Sequence, residues 1–122
     1  MKILLVEPGK KLVLKEIDGS LKSMQEIVGG TIQALYPFEE PVALICNDEG
    51  KLLGLPLNRG LRDEEGRIYD IVAGRFFLCG VPEDSDRLES IPERLIKTYQ
   101  KRFATPEIFI HTGRNPTCTP FE

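Results

Sequence analysis

The residues best suited to chemistry lie in one irregular stretch, Pro56-Leu-Asn-Arg59, and at the nearby Arg62. Asn58 carries both hydrogen-bond donors and an acceptor, and the planar guanidinium groups of Arg59 and Arg62 match the oxygens of a phosphate or carboxylate. The pair Tyr69-Asp70 follows a few residues later. These residue types in one region are typical of a site that holds an anionic ligand.

Aromatic residues could complete such a site, because a nucleotide base stacks on a ring face. Arginine, asparagine and rings together are the parts of a nucleotide pocket. The candidate ligand-binding residues are therefore Tyr36, Asn58, Arg59, Arg62, Tyr69, Asp70 and Phe76. A structural alternative stays open, in which Arg59 pairs with Asp70 or Asp63 and Asn58 caps a turn. This alternative is the commoner role for such residues.

Support for catalysis is poor. His111 is the single histidine, so a metal cluster cannot contain more than one imidazole. Neither a serine nor a cysteine has a partner nearby in the sequence that would make a recognisable nucleophile. The glycines follow no phosphate-loop pattern. We therefore predict no catalytic residue, no metal ligand and no cofactor, with a hydrolase or transferase that uses Asp70 and Asp63 as a minor alternative.

The cysteines and the N-terminal residues indicate a compartment. Cys46, Cys79 and Cys118 are widely spaced and odd in number, which fits neither a closed disulfide framework nor a zinc site. A reducing cytosol fits best. The apolar run Ile3–Val6 is too short for a signal peptide or a membrane span. We therefore expect a cytoplasmic protein.

The charge balance narrows the range of partners. The chain has 122 residues, with 16 Lys and Arg against 19 Asp and Glu, a net charge of −3. This acidic balance argues against a protein that coats DNA. The acidic clusters 63–65 and 83–86 lack the ligand spacing of a calcium loop and are best explained as solvated turns. We expect neither a nucleic-acid partner nor a membrane partner.

The elements that must position these residues are mainly strands. In the first half, apolar runs between turn residues predict a hairpin of 3–6 with 11–17 and strands at 31–36 and 41–46. Between them a helix is predicted over 20–28, with Ser20 as N-cap and Gly29-Gly30 as its end. Its apolar stripe, expected in the core, consists of Leu21, Met24, Ile27 and Val28.

Beyond Lys51 the pattern weakens, which predicts a short strand and then an irregular loop over 58–63. Strand-like runs return at 67–72 and 75–81, separated by a bend at Gly74. Residues 92–103 show helical apolar spacing, and Pro92 fits the first turn of a helix. A short strand is predicted at Ile108–His111, followed by a polar stretch interrupted by prolines. We expect its last eight residues to be loose unless a partner or subunit holds them.

These elements predict an α+β fold: a mainly antiparallel sheet of about six strands, covered by one short and one longer helix. We place a single domain at 1–105 and a C-terminal tail at 106–122. Exposed sheet edges and the apolar run Ile108–Ile110 predict a homo-oligomer, most simply a dimer in which the tail strand takes part.

Three segments of the chain resemble a known family. They are MKILLVEPGK, VGGTIQALYPFEEPVALICNDEGKLLGLPLNR and LRDEEGRIYDIVAGRFFLCG. They are similar to a family of small proteins from phages and conjugative elements of gut Firmicutes, a domain of unknown function. The resemblance covers roughly residues 1 to 105 and implies an accessory protein of a mobile element; it assigns no activity.

For function we therefore expect a binding protein rather than an enzyme. The implied setting, the small acidic form and the Arg, Asn and aromatic cluster favour a protein that sequesters a nucleotide-type signalling molecule and so antagonises host defence. The alternative is a protein-protein module that binds and inhibits a host enzyme. The expected partners are accordingly a small nucleotide or a host protein, together with further copies of this chain.

Overall fold

The computed structural model describes residues 1–85, 87–111 and 116–120. The strands are β1 (Lys2–Val6), β2 (Val13–Glu16), β3 (Ile32–Leu35), β4 (Val42–Asn47), β5 (Leu57–Arg62), β6 (Ile68–Ala73), β7 (Phe76–Gly80), β8 (Glu107–His111) and β9 (Pro116–Pro120). The helices are α1 (Leu21–Val28) and α2 (Glu93–Arg102). The helices predicted over 20–28 and 92–103 are thus confirmed.

The central layer is a five-stranded sheet in the order β2-β1-β7-β4-β3. Every neighbouring pair in it is antiparallel. Two further antiparallel pairs, β5 with β6 and β8 with β9, lie outside this sheet. The predicted α+β class with a mainly antiparallel sheet and two helices is confirmed.

The sheet is buried on both faces, which explains the unbroken apolar runs of its central strands. Ile3, Ile45 and Phe77 face one side, where they pack with the buried residues of α1. Leu4 and Leu78 face the other side, where α2 and the β5–β6 pair cover them. The chain therefore forms three layers, with α1 on one face and α2 with β5 and β6 on the other.

Residues 52–62 depart from the prediction. The backbone N–H groups of Leu53 and Gly54 donate to the carbonyl oxygens of Glu49 and Lys51. This segment therefore forms turns where we predicted a short strand. The predicted irregular loop at 58–63 is instead β5, which pairs with β6. The prediction is wrong here because β5 buries polar as well as apolar side chains, so its sequence shows no alternation of period two.

The end of the chain also departs from the prediction. We expected the last eight residues to be loose unless a partner or subunit holds them, but Pro116–Pro120 pair with β8 in the register Ile108↔Thr119 and Ile110↔Thr117. Residues 115, 121 and 122, on which the same prediction falls, lie outside the described residues. The two prolines that suggested a loose segment are the first and last residues of β9. The threonines between them are β-branched and favour a strand.

Helix α1 has the expected signals at both ends. The Ser20 hydroxyl accepts a hydrogen bond from the Ser23 N–H, and Gly29 ends the helix with a φ of 79°, which glycine adopts without strain. Three of the four stripe residues, Met24, Ile27 and Val28, are buried as predicted. The prediction is wrong for Leu21, which is 57% exposed, because it stands at the open first position of α1.

Helix α2 packs through the expected positions. Leu95, Tyr99 and Phe103 are all buried in the cluster that also contains Phe76 and Leu78. Neither helix in the described part of the chain is long and apolar enough to cross a membrane.

The buried stripe of α1 allows a direct test of this packing. Ile27 is 8% exposed, so Ile27→Ala opens a cavity and is expected to lower the free energy of unfolding by about 2 to 5 kcal/mol. Leu21→Ala removes the same kind of group from an exposed site of the same helix and is expected to cost less than about 0.5 kcal/mol. Urea denaturation measures both, and equal losses would contradict the placement of α1.

Candidate functional site

Asn58 is a structural residue in the middle of β5. Its side chain is fully buried, and its Nδ2 donates hydrogen bonds to the carbonyl oxygens of Val6 at 2.9 Å and Gly74 at 2.8 Å. Val6 ends β1, and Gly74 links β6 to β7 with a φ of 82°. Asn58 therefore fastens β5 to the central sheet at the point where the chain turns into β7.

Arg59 is equally buried. Its guanidinium donates to the carbonyl oxygen of Lys10 at 2.7 Å, to that of Phe103 at 3.3 Å and to Oδ1 of Asn58 at 2.9 Å. Lys10 lies in the turn between β1 and β2, and Phe103 ends α2. The guanidinium thus connects three elements through carbonyl oxygens, and neither Asn58 nor Arg59 offers its side chain to a ligand at the surface.

The two aspartates of the structural alternative are engaged elsewhere. Asp70 forms an ion pair with Lys51, and Asp63 lies 3.6 Å from the Arg67 guanidinium. The Asp63 carboxylate also accepts the backbone N–H groups of Glu65 and Arg67, so it shapes the turn between β5 and β6. Asp63 and Asp70 line different cavities, which does not favour their use as a catalytic pair.

The predicted ring faces are also dispersed. Phe76 is fully buried, with its centroid 5.8 Å from that of Phe103, so its ring belongs to the core. Tyr36 is exposed but lines a shallow depression beside Pro41 and Pro82. The seven predicted site residues therefore do not form one pocket.

Two of the predicted residues, Arg62 and Tyr69, do come together. They line an open groove of about 660 Å³ between the β5–β6 pair, the loop that joins β3 to β4, and the end of α2. We call this feature the acidic groove. Its lining residues are Pro37, Phe38, Glu39, Glu40, Arg62, Asp63, Glu64, Tyr69 and Arg102.

One wall of the acidic groove is held by a chain of aromatic contacts. The Arg102 guanidinium lies 4.8 Å from the centroid of the Phe38 ring, within cation–π range. Phe38 also meets the Tyr99 ring edge to face, with centroids 4.8 Å apart. The Tyr99 hydroxyl donates to Glu40, and burial raises the pKa of Tyr99. These contacts fix the β3–β4 loop against α2.

The opposite wall is fastened by Glu107 of β8. Its carboxylate accepts the Gly60 N–H at 3.1 Å and forms an ion pair with Arg62, also at 3.1 Å. The Glu107 side chain is only 10% exposed. A Cβ at position 60 would lie 2.9 Å from Cδ1 of Ile68, so glycine allows β6 and the Glu107 carboxylate to approach this strand. The Arg62 guanidinium is therefore part of a built wall.

The charge of the acidic groove is negative. Its lining includes two arginines against four carboxylates, and Glu39 and Glu64 are exposed. The Tyr69 ring, 57% exposed, is available beside them. A surface that combines carboxylates with an accessible ring suits a cationic group such as a guanidinium or ammonium. A free phosphate is less well suited to this potential.

Two of the three cysteines lie in the interior of the described part of the chain. Cys46 and Cys79 are free and buried. Burial raises the pKa of Cys46 to about 11 and that of Cys79 to about 12, so both are neutral thiols near pH 7. Among the residues whose side chains are described, no group of three or more His, Cys, Asp or Glu is placed to hold a metal ion. The side chains of His111 and Cys118 lie outside the described part.

Sequence reasoning missed much of the acidic groove. Phe38, Glu39 and Arg102 come from a loop and a helix end that are far from Arg62 in the chain. No spacing rule connects such positions. The available signal was the aromatic and acidic run Tyr36-Pro-Phe-Glu-Glu40, which marks an exposed loop but not what it faces.

Substitution of Arg59 tests whether this residue has a structural role or belongs to a ligand site. Arg59→Ala leaves the Phe103 carbonyl and Oδ1 of Asn58, which Arg59 binds in the interior, without these donors, and each unsatisfied buried group costs about 1 to 3 kcal/mol. We expect a loss of about 3 kcal/mol or more in the free energy of unfolding once the cavity is included. Arg94→Ala, at an exposed site on α2, should change it by less than about 0.5 kcal/mol. A melting temperature of Arg59→Ala equal to that of the wild type would contradict the structural role.

Comparison with known proteins gives a family but no activity. The sequence model of DUF3846, a domain of unknown function, matches residues 1–104. No curated protein and no solved structure gives a significant match. The resemblance of the three sequence segments to a domain of unknown function is thereby confirmed. Since the match spans most of the chain, the protein belongs to the DUF3846 family.

Proposed function

We propose that this domain is an accessory protein of a phage or mobile element that acts in the cytoplasm by binding, without catalysis. Its partner is a host protein whose activity is blocked when a basic segment of that protein enters the acidic groove. The mobile-element setting comes from the sequence resemblance, and the cytoplasmic setting from the cysteine pattern. The type of partner comes from the structure of the acidic groove.

The observation that carries the proposal is the combination of exposed carboxylates and a ring in one concave surface. Glu39 and Glu64 line the groove. Within the described residues, neither carboxylate accepts a hydrogen bond. Tyr69 lines the same groove, with 57% of its surface accessible. An arginine or lysine side chain could stack on this ring while the two carboxylates neutralise its charge.

The overall charge of the protein also favours a basic partner. A net charge of −3 and an acidic groove attract a basic partner and accelerate its encounter, particularly at low ionic strength. The two arginines of the groove do not cancel this effect, because Arg62 is paired with Glu107 and the single charge of Arg102 stands against four carboxylates of the lining. The outward-facing carboxylates therefore dominate what a partner meets.

Charge reversal at the rim tests the protein-binding proposal. We expect wild-type protein to capture a host protein from lysate, and the double variant Glu39→Lys/Glu64→Lys to raise the Kd for that protein at least about tenfold, a loss of about 1.4 kcal/mol. Capture followed by mass spectrometry identifies the protein, and titration calorimetry at two salt concentrations measures the Kd.

The matched control is Glu26→Lys/Glu49→Lys. Both glutamates are exposed and lie on α1 and on the turn after β4, outside the groove, so the control makes the same change in net charge. It should bind like the wild type. If the two double variants weaken binding equally, only long-range charge is involved and the acidic groove is not the site.

A second candidate, sequestration of a nucleotide, is favoured by the size and rings of the same groove. A volume of about 660 Å³ is within the usual range for a small-molecule site. Tyr69 could stack on a base, and Arg102 places a guanidinium over the Phe38 ring. The carboxylates oppose the phosphate groups, so this candidate ranks below protein binding.

Ligand analysis separates the two candidates. If a nucleotide is bound, mass spectrometry of the purified protein should release it, and adding it at 100 times its Kd should stabilise the fold by about 2.7 kcal/mol. Tyr69→Ala should abolish this effect. Tyr36→Ala removes a ring of nearly equal exposure, 56% against 57%, outside the groove and should retain it. No stabilisation by adenine or guanine nucleotides, including cyclic dinucleotides, would exclude the second candidate.

A further inference from the structure

The outer edge of β2 is a surface that the acidic groove does not use. β2 is the first strand in the sheet order, and within the described residues it pairs only with β1. Val13 and Leu14 are each 48% exposed, although they occupy opposite faces of the strand. An edge with apolar residues on both faces can accept another strand.

The backbone of β2 shows which groups this edge presents. Met1 and Ile17 exchange both of their backbone hydrogen bonds, at 2.7 and 2.9 Å. In an antiparallel pair such exchanges recur at every second residue, so the register with β1 places the next ones at Lys15 and Val13. The N–H and C=O groups of Leu14 and Glu16 therefore point away from β1, towards the outer edge.

We propose that β2 pairs antiparallel with β2 of a second copy of this chain, about a two-fold axis at Leu14. The two five-stranded sheets would then become one continuous sheet. The outward-pointing groups of Leu14 would exchange hydrogen bonds with Leu14 of the second copy, and those of Glu16 with Leu12 of the second copy. Unpaired edge groups are the ones that such an arrangement satisfies.

Symmetry and charge select this register. A two-fold axis perpendicular to the sheet brings one residue opposite its own copy, and like charges in that position are destabilising. An axis at Val13 would place Lys11 opposite Lys15 of the second copy. An axis at Lys15 would place the two Lys15 side chains opposite each other, and an axis at Glu16 would do the same for the two Glu16 side chains. Only the axis at Leu14 among the four strand residues avoids a like-charge pair.

The same register explains the residue types on the two faces. On one face Leu14 meets Leu14 of the second copy, flanked by Leu12, which is already partly buried against the core. On the other face Val13 lies opposite Lys15 of the second copy, where the lysine stem can cover the apolar side chain. A second copy of this chain is thus the occupant that the edge fits.

Two substitutions with opposite expected effects test the proposal. Leu14→Glu places two carboxylates opposite each other across the axis and should raise the dimer Kd by about tenfold or more. Val13→Glu creates Glu–Lys pairs with Lys15 of the second copy and should keep or tighten the dimer. Sedimentation velocity over a concentration series of the full chain measures both, with thermal melts to verify folding.

Cross-linking tests the register independently of affinity. In a Cys118→Ser background, Leu14→Cys should form a disulfide-linked dimer on mild oxidation, because residues directly opposite are within disulfide range. Val13→Cys should not, since its copy would lie on the diagonal at about 7 to 8 Å. A wild-type monomer at high micromolar concentration, or equal cross-linking by both cysteine variants, would overturn the proposal.

Discussion

The buried guanidinium of Arg59 is the interaction on which the rest of this structure depends. A charged group without solvent contact is tolerated only when its donors are satisfied. Arg59 meets this condition by donating to the backbone of Lys10 and Phe103 and to the side chain of Asn58. Three separate parts of the chain must therefore reach their final positions before this charge can be buried.

Asn58 extends the same network into the central sheet. Its amide binds the carbonyl oxygens that end β1 and precede β7. The end of α2, the β1–β2 turn, β5 and the β6–β7 junction are thus joined through two adjacent side chains. Polar groups fix this arrangement more narrowly than apolar packing would, because hydrogen bonds demand particular distances and directions.

The acidic groove is built on this network. Gly60, Leu61 and Arg62 follow Arg59 directly on β5, and Arg102 precedes Phe103, whose carbonyl Arg59 binds. The buried hydrogen bonds of Arg59 therefore fix the positions of Arg62 and Arg102, one in each wall of the groove. Binding residues on such a support lose little conformational entropy when a partner arrives.

How far the sequence predicts the structure depends on how each segment is buried. β1, β4 and β7 each contain an unbroken apolar run and both helices carry a stripe, so their patterns identified them. β5 buries Asn58 and Arg59, two residue types that a local sequence pattern places in a surface loop. Their burial is possible because carbonyl groups from distant elements accept their hydrogen bonds. For the candidate site, Arg62 and Tyr69 were identified by residue type, whereas Phe38 and Arg102 depend on tertiary contacts that no local spacing encodes.

The two proposed surfaces are compatible because the sheet order keeps them apart. β2 and β3 are the opposite edges of the five-stranded sheet, and the loop after β3 carries Phe38 and Glu39 of the acidic groove. Pairing through β2 would therefore leave the groove of each copy open. A dimer carries two grooves on one rigid sheet. When a repetitive or oligomeric partner binds one groove, its contact with the second groove becomes intramolecular, and this strengthens overall binding if the spacing of the sites matches. A short chain with a modest groove would gain most from this arrangement, since its single-site affinity is limited by the small surface that it can offer.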